Sequence, residues 1–334
     1  MSITLRKNNH IDICLRKDIR SKQSNGFEHY HLLHNPLPEA DFEKFSTECQ
    51  FLGKNISVPI LISSMTGGTE EGEQINRRLV EAAAELKVPF AIGSQRIYIT
   101  EKRKPIFPYR TIAPNIPILA NLGAVQMNYG FTRDDYLRAV EMIHADALIV
   151  HLNPLQELIQ KNGDTNFSGL LKKIEKLCHD FPVPVIAKEV GWGIQAETAK
   201  RLIDAGVSVI DVAGAGGTSW SRVESLIHDD DIIQKIAEPF DDWGIPTAEC
   251  IAMIHRQYPD IELIASGGIQ NGVEAAKAIR LGANLAGFAA RLLPAAAKNT
   301  EAVTEELKII MHQYKIAMFL SSGIQKTEKE QERI

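Results

Sequence analysis

Eight short apolar runs recur along the chain and dominate its pattern of hydrophobic and polar positions. Each run is continuously apolar instead of alternating with polar residues, which is typical of strands buried on both faces of a parallel sheet. The predicted strands cover residues 58–64, 89–94, 116–123, 146–153, 183–191, 208–214, 261–268 and 284–290.

Helical patterns separate these strands. They are clearest at residues 71–87, 132–145, 195–206 and 272–282, and the last two end at a glycine, as helices commonly do. Strand–helix alternation repeated about eight times predicts an α/β protein with a (β/α)₈ TIM barrel. A doubly wound open sheet is the alternative that fits the same alternation.

Three segments fall outside the repeat. Residues 1–57 precede the first strand and form an N-terminal extension, which we expect to act as a lid or to cover the bottom of the barrel. Residues 58–322 make up the barrel, in which the stretch 220–260 is long enough to predict an extra loop and helix beside the site. Residues 323–334 are a charged tail with few apolar positions, which we expect to fray.

Composition narrows the class of protein. The chain has 334 residues, 44% of them hydrophobic and 24% charged, which is typical of a globular enzyme. Its net charge of −5 argues against general affinity for nucleic acid or anionic membranes. The early charges leave no secretory signal, no run is long enough to span a membrane, and the four cysteines are widely spaced. These features predict a cytoplasmic protein with free thiols.

Glycine-rich turns end three late strands, in residues 208–220, 262–269 and 284–290. Small residues let a ligand touch bare backbone N–H groups, and successive N–H groups in such turns bind anions. Parallel barrels commonly hold a phosphate with the loops after their last strands. The pattern therefore predicts a phosphorylated ligand or cofactor.

Polar residues follow the first six predicted strands, where they would face the mouth of a barrel. They are Ser64, Met65, Thr66, Ser94, Gln95, Arg96, Asn121, His151, Asn153, Gln156, Glu157, Lys188, Glu189, Thr218 and Ser219. Lys188 is the most informative, because a lysine late in an apolar strand is costly unless an anion meets it. It could pair with a neighbouring carboxylate, contact a ligand or form a Schiff base.

Several motifs, in order from about residue 6 to residue 293, carry a family resemblance. They are RKNNHIDICL, ISSMTGGT, GSQR, NLGAVQ, HLNPLQE, KEVGWGI, DVAGAGGTSW and DWGIPTAE. Together they resemble type 2 isopentenyl-diphosphate delta-isomerase, an FMN enzyme; HLNPLQE and GAGGTSW are the most specific. The resemblance implies interconversion of isopentenyl and dimethylallyl diphosphate with reduced FMN and Mg²⁺. It also implies NADPH as the reductant, and we expect a homo-oligomer.

The resemblance also implies site residues. FMN contacts fall on Met65, Thr66, Ser94, Asn121, Lys188 and Thr218, and its phosphate on Gly267, Gly268, Ala289 and Ala290, with Gly216 and Ser219 close by. The substrate diphosphate falls on Arg6, Lys7, Ser94, Gln95, Arg96 and Gln156, with His10, His151 and Asn153 in the same pocket. Glu157 is the metal ligand, and the catalytic candidates are Gln156, Lys188, His151 and Asn153.

The implied chemistry suits these residue types. Moving a double bond adds a proton at one carbon and removes another nearby, through a carbocation that must be shielded from water. A reduced, anionic flavin could carry the proton and stabilise the cation. Lys188 would favour the anionic form, and Gln156, which cannot carry a proton by pKa, would position the substrate.

Other functions fit the sequence less well. An FMN-dependent 2-hydroxy-acid oxidase would need a histidine base and an arginine clamp after late strands, such as an HGxR run, which is missing. A nucleotide-converting dehydrogenase would need a cysteine after a late strand, and Cys250 follows no such strand end. A flavin-binding module without catalysis would not need the polar strand ends. We expect Trp220 to pack over the barrel mouth and not to stack on a flavin, and His29, His31 and His34 to be surface or packing residues.

Overall fold

The computed structural model describes residues 3–227 and 230–326. One α-helix, three strands and two short 3₁₀ helices precede the barrel. They are α1 (Ile3–Arg16), β1 (Tyr30–His34), the antiparallel pair β2 (Cys49–Phe51) and β3 (Lys54–Ile56), and the 3₁₀ helices Phe27–His29 and Phe42–Lys44. They make up the N-terminal extension and occupy both ends of the barrel, as described below.

Eight parallel strands then close into a barrel. They are β4 (Ile60–Ile62), β5 (Phe90–Ala91), β6 (Ile118–Gly123), β7 (Ala147–Leu152), β8 (Val185–Glu189), β9 (Val209–Asp211), β10 (Glu262–Ala265) and β11 (Leu285–Phe288). Each lies inside the run predicted for it, so the predicted TIM barrel is confirmed. The open-sheet alternative is wrong, because β11 pairs with β4 and closes the ring.

Helices surround the barrel and connect its strands. They are α2 (Glu70–Leu86), α3 (Arg96–Thr100), α4 (Tyr109–Ile112), α5 (Arg133–Ile143), α6 (Pro154–Ile159), α7 (Leu170–Cys178), α8 (Ala196–Asp204), α9 (Trp220–Ile227), α10 (Asp231–Ala237), α11 (Thr247–Gln257), α12 (Gly272–Arg280), α13 (Leu293–Ala296) and α14 (Thr300–Phe319). The first long one, α2, shows why they form: the Thr69 side chain accepts a hydrogen bond from the Gly72 N–H at its start. Within the two described ranges, no helix is both long and apolar enough to cross a membrane.

The sequence pattern explains the two layers of the core. Alternate strand residues point inward, where Leu61, Leu119, Ile186 and Ile264 pack in one cluster. Their neighbours point outward and pack against the helices in a second, larger cluster. Strands buried on both faces must be continuously apolar, and this is the pattern from which the barrel was predicted.

The N-terminal extension serves both ends of the barrel. Phe51 and Ile56 of the β2–β3 hairpin pack into the inward-facing cluster and close its bottom. Helix α1 lies at the other end, where Lys7 donates hydrogen bonds to the carbonyls of Gly67 and Ser94 in the loops after β4 and β5. The extension therefore lies over the mouth of the barrel as well as its bottom, and the action of α1 as a lid stays a prediction.

The predicted boundary between barrel and tail is wrong. A last strand, β12 (Ser321–Lys326), pairs antiparallel with β1 and crosses the expected break at residues 322–323. Backbone pairing orders residues 323–326, although few apolar side chains anchor them. Residues 327–334, the rest of the predicted tail, lie outside the described residues.

Candidate active site

A cavity of about 250 Å³ opens at the carboxyl ends of the barrel strands. Loops after all eight strands line it, and α1 contributes Arg6, Lys7, His10, Ile11 and Cys14. Because the strands are parallel, all of their carboxyl ends meet at this face, which is the face that carries function in such barrels.

The structure brings nearly all of the predicted site residues to this cavity. Those that line it are Arg6, Lys7, His10, Met65, Thr66, Ser94, Arg96, Asn121, His151, Asn153, Gln156, Glu157, Lys188, Thr218, Gly267, Gly268, Ala289 and Ala290. They come from distant parts of the sequence, so their convergence is a result of the fold.

Gln95 is missing from this set, and the direction of its side chain gives no support to the predicted contact with substrate. Its side chain is fully buried behind the strands. The amide nitrogen donates to the Ala139 carbonyl at 2.9 Å, and the amide oxygen accepts from the Asn121 N–H at 2.9 Å. Gln95 therefore fastens β6 and α5 to each other, while its neighbours Ser94 and Arg96 face the cavity.

Gly216 and Ser219 are also absent from the lining, although they were expected close to the phosphate. Ser219 is buried, and its hydroxyl lies 2.9 Å from that of Ser221. Gly216 packs against the backbone of Asn25, and it is the next residue, Gly217, that faces the cavity.

Three basic side chains, Arg6, Lys7 and Arg96, line one side of the cavity. Lys7 Nζ lies 2.6 Å from the Gly67 carbonyl and 2.9 Å from that of Ser94, and burial, helped by the charges of Arg6 and Arg103, lowers the pKa of Lys7 to about 7. Arg96 pairs with Asp164 at 2.8 Å. Such crowding is costly unless an anion is present, so this side suits an anionic ligand.

A carboxylate network lies beside the cations. Glu157 accepts hydrogen bonds from the Asn153 amide at 3.0 Å and from the Asp164 N–H at 2.8 Å. Burial nevertheless raises the pKa of Glu157 above its ordinary value. A cation bound in the cavity would favour the charged form of this buried carboxyl and so offset the cost of its burial.

Glu224 joins α9 to this network and was not foreseen from the sequence. One of its oxygens accepts from Gln156 Nε2 at 2.8 Å and lies 3.0 Å from His10 Nε2. Burial alone would raise the pKa of Glu224. The hydrogen bond and charge of His10, together with the hydrogen bond from Gln156, nevertheless hold this pKa below its ordinary value. Trp220, one turn earlier, packs edge-on against His10 with ring centroids 5.2 Å apart. The only signal for Glu224 was its place in the expected extra segment.

Lys188 lies at the centre of the barrel mouth in a buried polar triad. Its Nζ is 3.1 Å from Asp211 Oδ2 and donates to Ser266 Oγ at 2.9 Å, and Ser266 in turn donates to Asp211 Oδ1 at 2.5 Å. The carboxylate partner considered for Lys188 is therefore Asp211, yet Lys188 still faces the cavity. Asp211 is the last residue of β9 and a charged position inside the apolar run 208–214, which was the available signal for it.

His151 borders the same region as an uncharged group. Its Nδ1 lies 2.7 Å from Asn121 Oδ1. Burial, followed by the charges of Lys188 and Lys7, lowers the pKa of His151 to about 3. A neutral imidazole can hydrogen-bond to a ligand without competing with Lys188 for an anion.

Glycines shape the far side of the cavity. Gly267 and Gly268 have φ angles of 104° and 74°, a region that other residues rarely adopt. A Cβ on Gly217 would lie 2.7 Å from the Gly268 nitrogen, so the loops after β9 and β10 pack backbone against backbone. This arrangement leaves main-chain groups exposed to a ligand, as expected for an anion-binding turn.

Comparisons with known proteins identify the family of the chain. A family model described as FMN-dependent dehydrogenase matches residues 132–333. Isopentenyl-diphosphate delta-isomerases from Rickettsia rickettsii and Vibrio parahaemolyticus are 46% and 49% identical to the chain; each match covers 95% of this chain and 93% or 94% of the relative. The chain belongs to the isopentenyl-diphosphate delta-isomerase family. It is therefore an isomerase, and the match to an FMN-dependent family supports FMN as its cofactor.

Solved structures give the fold alone. Flavocytochrome b2 with sulfite bound superposes with a TM-score of 0.66 at 19% identity, covering 94% of this chain and 78% of the other. Mandelate oxidase with (S)-4-hydroxymandelic acid gives a TM-score of 0.63 at 16% identity, covering 94% and 90%. The barrel is thus shared with proteins whose activity this chain need not share.

Proposed function

We propose that this protein interconverts isopentenyl diphosphate and dimethylallyl diphosphate, as a step of isoprenoid biosynthesis, with reduced FMN and Mg²⁺. The observation that carries the proposal is a cavity whose lining includes two separate groups of residues suited to anions. One is the glycine turn after β10, and the other is the cluster of Arg6, Lys7 and Arg96. One site suits the phosphate of FMN and the other a diphosphate.

FMN fits the residues of the far side and centre. Its phosphate would be held by Gly267, Gly268, Ala289 and Ala290. The backbone is closely packed at this turn, since a Cβ on Gly217 would lie 2.7 Å from the Gly268 nitrogen. Its ring would be held by Met65, Thr66, Ser94, Asn121, Lys188 and Thr218, all of which line the cavity. Ser64 Oγ, among these loops, is a buried polar atom without a partner in the described part of the chain, as expected where a ligand is to be bound.

Mg²⁺ fits the side of Glu157. Magnesium favours oxygen ligands and is usually held by one or two carboxylates together with substrate phosphates. Glu157 supplies a carboxylate on the cavity wall, and the nearby Asn153 Oδ1 is buried without a hydrogen bond among the described residues. When bound there, the ion would neutralise charge on the diphosphate.

The chain's own residues would bind and orient the substrate. Arg6, Lys7 and Arg96 would fix the diphosphate by charge-assisted hydrogen bonds. Gln156, held by Glu224, would position the reacting end, and neutral His151 and Asn153 would complete the polar wall. When bound, reduced FMN supplies a proton carrier and an electron-rich ring beside the hydrocarbon.

Shielding from water is the second task of these residues. Helix α1 brings Ile11 and Cys14 to the cavity, and Trp220 packs edge-on against His10 above it. These apolar groups would cover the hydrocarbon part and keep water from a developing carbocation. Lys188, fixed by Asp211 and Ser266, would place its charge beside the ring and favour the anionic reduced flavin.

Anaerobic turnover tests the proposal. The protein is mixed with isopentenyl diphosphate, FMN and Mg²⁺, with dithionite or NADPH as the reductant, and the product is followed by NMR. We expect turnover only after reduction, and one reduction should support many turnovers because no electrons are consumed. Equal activity with oxidised FMN and no reductant would sink the mechanism. Oxygen consumption with 2-hydroxy acids would point to an oxidase instead.

We further propose a cytoplasmic homo-oligomer.

A further inference from the structure

We propose that Asn25, in the segment between α1 and β1, is a positioning residue for the turn that binds the phosphate of FMN. The inference rests on the proposed function. It assigns part of the N-terminal extension to the cofactor site, in addition to its roles at the mouth and bottom of the barrel.

The side chain of Asn25 holds the turn directly. Its Nδ2 donates to the Gly268 carbonyl at 2.8 Å and to Glu274 Oε2 at 2.9 Å. Its own carbonyl accepts from the Ala248 N–H at 3.0 Å, which fixes the backbone of Asn25 against α11. The residue is 8% exposed and does not line the cavity, so it acts on the turn from behind.

Glu274 extends this support along the turn. The oxygen that accepts from Asn25 also accepts from the Gln270 N–H at 2.9 Å. The Asn271 side chain accepts from the Glu274 N–H at 2.9 Å and caps α12. Peptides on both sides of Ile269 are therefore tied to Asn25, directly at Gly268 and through Glu274 at Gln270.

The same N-terminal segment also fixes the glycine loop after β9. The Ser21 N–H donates to the Gly217 carbonyl at 2.8 Å, and the Ser219 N–H donates to the Ile19 carbonyl at 2.8 Å. Gly216 has a φ of 114°, and a Cβ there would collide with the backbone of Asn25. The two loops that pack against each other at Gly217 and Gly268 are thus both held by the segment from Ile19 to Asn25.

Loss of the Asn25 amide should act on the phosphate specifically. Backbone N–H groups bind an anion well only when their directions are fixed. Without Nδ2 the Gly268 carbonyl keeps one side-chain donor, the exposed Gln270 Nε2 at 3.0 Å, which holds the peptide less firmly than the buried Asn25 amide. The flavin ring contacts lie on other loops and should be unaffected. FMN affinity should therefore fall, whereas the affinity for riboflavin, which lacks the phosphate, should not.

The experiment compares FMN and riboflavin binding to the full-length protein freed of flavin, by quenching of flavin fluorescence. For Asn25→Ala we expect FMN to bind on the order of tenfold more weakly, as typical for loss of a hydrogen bond to a charged group, with riboflavin unchanged. Asn35→Ala is the control: it makes the same change in the same extension, where the Leu37 N–H is the one hydrogen-bond partner of the Asn35 side chain among residues 3–227 and 230–326.

A second pair of variants covers the case in which Asn25→Ala unfolds. Asn25→Asp sets two carboxylates against each other and leaves the Gly268 carbonyl without its donor at residue 25. Adding Glu274→Gln restores a hydrogen bond between residues 25 and 274 but not the one to Gly268, so it should recover only the part of the FMN affinity that depends on Glu274. An unchanged ratio of FMN to riboflavin affinity, or equal weakening of both flavins, would overturn the role of Asn25. If the parent protein bound FMN no better than riboflavin, the phosphate site itself would be wrong, and the proposed function would fail with it.

Discussion

Single residues in the cavity have charge states that depend on what the cavity contains. Lys7 is the clearest case, because burial lowers its pKa to about 7 while it reaches two backbone carbonyls. In the free protein its pKa is below the ordinary value of 10.5. The unfolded chain therefore binds more protons between these two values, and the stability of the free protein should rise with pH in that window.

A bound diphosphate reverses the preference of Lys7. The anion favours the charged amine, so binding above pH 7 should take up a proton, and substrate affinity should fall by up to about tenfold per pH unit between roughly pH 7 and 9. The terminal phosphate is already ionised over most of this range. KM measured at several pH values should show this slope, and Lys7→Met should raise KM and flatten it. A parent KM that is independent of pH would contradict a partly neutral Lys7.

Glu224 gives a second prediction at this scale. Glu224→Gln keeps the size of the side chain but replaces the charged acceptor shared by Gln156 and His10. Hydrogen bonds to charged groups contribute about 1.5–3 kcal/mol, so kcat should fall by tenfold or more while bound FMN is retained. Steady-state kinetics and the flavin absorbance of the purified variant check this. A normal kcat would mean that Gln156 is held adequately by Asn153 alone.

Orientation is where residue-level reasoning from sequence failed. Ser94, Gln95 and Arg96 are consecutive in a motif, yet the middle one points into the packing behind β5. Adjacency in a motif does not reveal which side chain turns toward the cavity. Glu224 is the opposite case, a side chain that reaches the site although the sequence did not predict it. A carboxylate on an amphipathic helix normally faces solvent, so nothing marked this one as buried.

Elements were easier to predict from sequence than their partners. The eight strands could be found because burial on both faces leaves a continuous apolar run. The pairing of β12 with β1 could not, because its register joins residues near opposite ends of the chain, such as Tyr30 and Lys326, and rests on backbone groups. The β2–β3 hairpin is similar: its short strands carry few apolar residues, and only the fold shows that they close the barrel.

The hairpin should contribute to stability without touching the chemistry. Phe51 is 4% exposed and packs into the inward-facing barrel cluster. Phe51→Ala should lower the free energy of unfolding by about 3–5 kcal/mol, as is usual for a buried phenylalanine. Denaturant unfolding measures this, and Gln50→Ala, at an exposed position of the same strand, should change little. FMN affinity at low temperature should match that of the parent, since the cavity lies at the other end of the strands. A loss of flavin would show that the two ends are coupled.

At the scale of the whole molecule, the proposed function would divide two binding tasks around one ring of strands. The glycine turns follow β9 and β10, while Glu157 follows β7 and the cations lie on α1 and after β5. Lys188, on β8, stands between the two sides. Because Glu157 follows one strand and Lys188 lies on another, a change at one should leave the other in place.

This separation predicts opposite effects for two substitutions. Glu157→Gln keeps the size of the side chain and removes its charge, so the Mg²⁺ concentration needed for half-maximal activity should rise by an order of magnitude or more, because a hard cation requires charged oxygen ligands. The flavin should stay bound, since the proposed FMN contacts lie on other strands.

Lys188→Met should do the reverse: FMN should bind more weakly, or its reduced form should shift toward the neutral species, with little change in Mg²⁺ dependence. Flavin absorbance, the spectrum after dithionite and a Mg²⁺ titration of activity separate the two outcomes. Loss of flavin from Glu157→Gln, or an unchanged Mg²⁺ requirement, would show that the metal is placed wrongly. If Glu157 served only to hold the Asp164 N–H, its substitution would lower stability and leave the Mg²⁺ dependence as it was.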